Sequence, residues 1–124
     1  MAKQTDLMGL GMPGALARYI GDEVTAVTAA GTAASTATEI GLQATFVVVT
    51  TASSQTGVKL NSATPLLRPI TIVSPASDTA IVYPPTSGTI NGGTATSGGQ
   101  NVAQNKTAIY IRYSSTAWVS ILTA

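Results

Sequence analysis

The spacing of apolar residues changes character along this chain. From residue 46 onward, apolar positions recur at every second place or in short unbroken runs, the rhythm of β-strands. In KTAIYIRY, residues 106–113, Ile109, Ile111 and Tyr113 fall on one side, and Ala108, Tyr110 and Arg112 on the other. SSTA at 114–117 separates this run from WVSIL at 118–122. The two runs are expected to pair as a closing hairpin. FVVVTTA at 46–52 is β-branched and apolar on both sides, which predicts a central strand buried on both faces. VKL at 58–60, PITIVS at 69–74 and TAIVYP at 79–84 predict further strands. PASD at 75–78 has a turn composition and would fold the last two into a hairpin.

The first 45 residues follow other rules. Leu16, Tyr19 and Ile20 lie at i, i+3 and i+4, one face of a short helix. Pro13 suits its first turn and Gly21 its end. Before it, Leu7, Met8, Leu10 and Met12 are interleaved with glycine and look extended or irregular. Two readings stand here: a terminal helix that caps the domain's own core, or an arm that docks on a neighbouring subunit or another protein. Methionine-rich segments suit adaptable interfaces. Residues 22–45 are mostly Ala, Thr and Gly. They predict a strand near 23–28, a loop near 30–35 and a strand or extended run near 38–44. The expected organisation is an N-terminal arm with a short helix over 1–21 and a β-domain over 22–124. The expected fold is all-β, a small antiparallel sandwich or barrel.

The stretch AIVYPPTSGTINGG, 80–93, holds the densest turn chemistry. It lacks the glycine and lysine spacing of a phosphate loop, and no long helix follows it. Pro84-Pro85, Ser87-Gly88 and Asn91-Gly92-Gly93 read as turns. Asn-Gly in particular favours a tight hairpin turn with positive φ at both residues.

Composition narrows the function. Of 124 residues, 9% are charged and 5% aromatic, against 44% hydrophobic; an average soluble chain carries roughly 25% charge. A core of small apolar residues is thin, so burial between subunits would help it. Net charge is +1 with the basic residues scattered singly, which is not the footprint of nucleic-acid binding. No apolar run is long enough to span a membrane, and the start lacks the apolar core of a signal peptide. Synthesis in a cytoplasm is expected.

With no histidine and no cysteine, the commonest general base and the thiolate metal ligands are missing. The carboxylates Asp6, Asp22, Glu23, Glu39 and Asp78 form no ligand or catalytic spacing. A Ser/Lys pair is conceivable with Lys59 or Lys106, but both lie in exposed-looking alternating runs. No enzyme activity, cofactor or metal is expected. Trp118 with Tyr83, Tyr110 and Tyr113 would make a stacking platform for a glycan if exposed, or pack in the sheet if not. Arg68 and Arg112 are either solvated charges or partners of carboxylates across a subunit boundary.

The segments RPITIVSPASDTAIVYPPTSGTINGG and KTAIYIRYSSTAWVSI, with DLMGLGMPGALARYIG at the start, resemble a pattern in small structural proteins of tailed bacteriophages. The shared elements are a strand ending in a VYPP-type turn, a Gly-rich linker and a closing SSTAWVSI-type hairpin. The resemblance implies a virion protein. Within that group the favoured slot is a capsid decoration, or cement, protein on the capsid exterior. Its implied partners are the major capsid protein and copies of itself, often as a homotrimer. Leu7, Met8, Leu10, Met12, Leu16 and Tyr19 are then the expected interface residues. A tail, neck or head-fibre component and a carbohydrate-binding adhesion module are the alternatives.

Overall fold

The structure, a computed structural model, describes residues 24–50, 56–74 and 79–123. The expected N-terminal helix and arm, with all six of its interface residues, lie outside these, as does the PASD turn.

Among the described residues, ten strands form two sheets. They are β1 (Val24–Thr28), β2 (Thr38–Glu39), β3 (Phe46–Thr50), β4 (Gly57–Lys59), β5 (Ile70–Ser74), β6 (Ala80–Tyr83), β7 (Thr89–Ile90), β8 (Gln100–Val102), β9 (Lys106–Arg112) and β10 (Ala117–Leu122). The chain is all-β, with no helix among the described residues. The six-stranded sheet runs β1-β3-β5-β9-β10-β7 and the four-stranded sheet β2-β4-β6-β8.

Up to β6, successive strands alternate between the sheets, and within each sheet they pair in parallel. The chain therefore winds as three stacked coils. Val24 lies beside Phe46 and Phe46 beside Thr71, so one coil advances 22 residues and the next 25. This solenoid-like stacking replaces the expected antiparallel sandwich or barrel. The reason lies in β5 and β6. They do not pair as a hairpin: β5 lies in the six-stranded sheet and β6 in the four-stranded one.

Stacking puts like on like. Val47, Ile72 and Ala108 stand in one inward row of the large sheet, and Val58 and Val82 in one row of the small sheet. All five are fully buried. β-Branched side chains suit such rows because their restricted rotamers match the pleated surface. Each fully buried Val or Ile side chain contributes about 1.5–3 kcal/mol.

After β6 the direction reverses. β8 pairs antiparallel with β6, β9 with β5, and β10 with β9. The closing hairpin expected from the sequence is thus β9–β10, with Ala108 and Tyr110 on the core side. The two largest core rings, Tyr110 and Trp118, close this end of the stack. Tyr110 donates its hydroxyl hydrogen to Gln100 Oε1 at 2.8 Å. That bond ties the large sheet to the small one.

Candidate functional site

The chemistry-bearing residues are dispersed. Glu39 is the one carboxylate among the described residues, and no group of potential metal ligands occurs there. Both described arginines are bound to backbone carbonyls. Arg112 reaches Thr64 O at 2.7 Å and Ser115 O at 2.9 Å. Arg68 donates to Leu42 O. They fasten loops to the coil stack, and neither has a carboxylate partner in these contacts. A guanidinium does this well because its fixed fork serves two acceptors at once.

The aromatic platform is not assembled. Trp118 and Tyr110 are fully buried and Tyr83 nearly so, which leaves Tyr113 exposed by itself. Burial pushes the Tyr110 phenol pKa above its ordinary value. Tyr83 lies over the outside of the small sheet. A side chain added at Gly57 would come within 2.5 Å of its ring, and one at Gly99 within 2.9 Å. Its hydroxyl donates to Thr32 O at 3.1 Å. The tyrosine of the VYPP stretch is therefore a structural cover, seated on two glycines.

The Gly-rich turns are occupied with themselves. Gly88 N–H bonds Pro85 O, Gly93 N–H bonds Ile90 O and Thr96 N–H bonds Gly88 O. Ser87 N–H is taken by Thr96 Oγ1. Asn91 holds Ser120 from both ends of its amide, at 2.8 and 3.0 Å. These donors close turns and do not converge on a ligand.

What remains is a surface. On the outside of the six-stranded sheet, strand register lines up Val24, Phe46, Thr71, Ile109 and Ile121 in one row. Ala26, Val48, Val73 and Thr107 form the next row, and Ile111 with Val119 a third. Val24 is 69% exposed, Ile121 64%, and Phe46 and Val119 each 41%. The outward positions of these strands are Val, Ile, Phe, Ala and Thr, without one charged side chain. The outside of the small sheet differs: it carries Glu39, Lys59 and the Tyr83 cover. Contiguous apolar surface of this kind marks an interaction site more often than chance exposure does.

The sequence pointed elsewhere for this surface. FVVVTTA was expected to be buried on both faces, yet Phe46 and Thr50 are exposed and only Val47 and Val49 face the core. The strand lies in the sheet interior, but the sheet has a covering layer on one side alone among the described residues. The missed signal was the absence of charge along the strand at 46–50 and at the alternate positions Thr107, Ile109 and Ile111.

No protein-family model matches the chain, and no curated protein matches it in sequence.

Proposed function

We propose that this chain is a structural protein of a tailed-phage virion, most specifically a decoration protein that binds the outside of the head and adds non-covalent contacts between capsid subunits. The virion setting is supported by the resemblance of the VYPP turn, the Gly-rich linker and the closing hairpin. The role in assembly is supported by one structural observation, the uncharged outer face of the six-stranded sheet. In this reading the N-terminal residues Leu7, Met8, Leu10, Met12, Leu16 and Tyr19 engage the major capsid protein, while the β-domain meets other copies of the chain, with a trimer as the number the resemblance favours. The protein is made in the host cytoplasm and acts without a cofactor or a catalytic step.

The stacked coils favour a second reading, a tail, neck or head-fibre component, since winding of this kind builds shafts. The adhesion module has lost its distinguishing feature, because Trp118 is buried.

The test is cosedimentation of the full chain with heads of its phage that lack it. The chain is expected to pellet with the heads. A variant with Leu7, Met8, Leu10 and Met12 all changed to Ser should stay in the supernatant while keeping its β-sheet circular dichroism. If the unmodified chain does not pellet with heads but does pellet with tails, the second reading replaces the first.

A further inference from the structure

We propose that the end of the molecule where Arg68 and Arg112 meet is a binding site for a carboxylate carried by another protein chain. The proposal rests on the assembly reading above and names the chemistry of one of its contacts.

Four side chains come together there. Trp118 and Arg112 are partners across β10 and β9. Arg112 Nη1 donates to Thr64 O at 2.7 Å, and Leu67 N–H donates to Arg112 O at 2.8 Å. The β5–β9 register, continued two residues beyond Ile70 and Tyr110, sets Arg68 opposite Arg112. Among the described residues, the buried side-chain polar atoms without a hydrogen-bond partner are Thr64 Oγ1, Arg68 Nε, Arg112 Nε and Trp118 Nε1. All four belong to this group, and Thr64 and Trp118 are at most 1% exposed. Buried polar groups are normally paired, so orphans gathered in one place call for a common cause.

Their chemistry names what is missing. The two guanidiniums and the indole can only donate, and the threonine hydroxyl can donate as well. The hydrogen bonds of both arginines go to backbone carbonyls, and none goes to a carboxylate among the described residues. The group lacks a negatively charged acceptor. A carboxylate offers two oxygens with about four acceptor positions, and a guanidinium binds it more strongly than it binds a neutral carbonyl. Arg68 is half-buried and has one Nη on Leu42 O, so a ligand meets it first at the other Nη. Reaching the covered N–H groups requires the 64–68 loop to shift. Leu67 in that loop holds φ at 63°, a left-handed conformation that a bulky side chain adopts at a cost. The same residue gives the loop a place to relax.

The rim selects the source of the carboxylate. Leu66 and Leu67 are 55% and 70% exposed in this loop. A free inorganic anion makes no use of them, whereas a protein segment with an apolar residue beside its acid does.

Heteronuclear NMR of the full chain observes the orphaned groups directly, since Trp118 is its one tryptophan. The probe is the capped peptide acetyl-Leu-Glu-Leu-amide. The Trp118 Nε1–H signal and the Arg68 and Arg112 Nε–H signals are expected to shift together along one saturation curve. The Leu-Gln-Leu analogue should bind at least about ten-fold more weakly, and Arg68→Gln should weaken binding of the Glu peptide as much. Leu67→Gly relieves the backbone and removes part of the rim. It should keep the thermal midpoint yet weaken binding several-fold, and it carries the test if Arg68→Gln does not fold. Lys59→Gln, on the other sheet, should leave binding unchanged. Signals that stay in place, or that move equally with the Glu and Gln peptides, overturn the proposal. Phosphate that moves them as strongly as the peptide assigns the site to a free anion and also overturns it. So does binding that appears only after Asp22→Asn and Glu23→Gln, which assigns the site to the chain's own acids. Peptide binding without head binding removes the decoration reading and leaves this site standing. Head binding without these shifts does the reverse.

Discussion

A single buried phenol gives the molecule its clearest pH dependence. Tyr110 is fully buried, and its pKa is raised by desolvation. In the unfolded chain it ionises near the ordinary tyrosine value of about 10. Above that pH the unfolded state loses a proton that the folded state keeps, so stability falls as pH rises. Below it the contribution is complete and flat. Urea unfolding at pH 8 and at pH 11 is expected to show a clear loss at the higher value. Tyr110→Phe should lose about 1 kcal/mol at pH 8, the worth of its bond to Gln100, and show a smaller fall between the two pH values. An equal fall in both proteins would assign the alkaline loss to other groups. At this scale the sequence was partly legible. Alternation separated Ala108, Tyr110 and Arg112 from Ile109 and Ile111, and the structure keeps that division. It did not show that Arg112 would spend its charge on two carbonyl oxygens, since Thr64 lies 48 positions away.

Between the elements, local conformation was readable and pairing was not. Asn91 and Gly92 adopt the positive φ expected of them, at 52° and 73°. Yet the strands on either side, β7 and β8, go to different sheets and form no hairpin. Turn residues report their own backbone angles; they do not report where the chain goes next. The coil repeat was hidden for a related reason. VTAVT and FVVVT align residue for residue across β1 and β3, but the steps of 22 and 25 residues differ because the loops do. One glycine carries a testable consequence of the stacking. Gly57→Ala drives a methyl group into the Tyr83 ring and should cost about 1–3 kcal/mol by overpacking. In a Tyr83→Ala background the same change should cost at least about 1 kcal/mol less, because the obstruction is gone. Additive losses in a double-mutant cycle of thermal unfolding would contradict the placement of that ring.

Across the whole molecule, low charge and a one-sided sheet belong together. The outward positions of β1, β3, β5, β9 and β10 hold no charge. The core needs one face of these strands; the other face is apolar without an internal use among the described residues. Low charge was legible in the composition, and burial between subunits was an expectation drawn from it. It left the surface itself unplaced, because a strand that is apolar on both sides reads the same whether its second face meets its own domain or another molecule. Exposed sheet surface of this kind would be a hazard for a protein that worked alone. The most direct measurement is the native mass of the unmodified full chain by light scattering on a size-exclusion column, repeated at increasing load. The account predicts a mass that climbs above 12.5 kDa toward a small whole-number multiple. A mass that stays at 12.5 kDa at every load would contradict it.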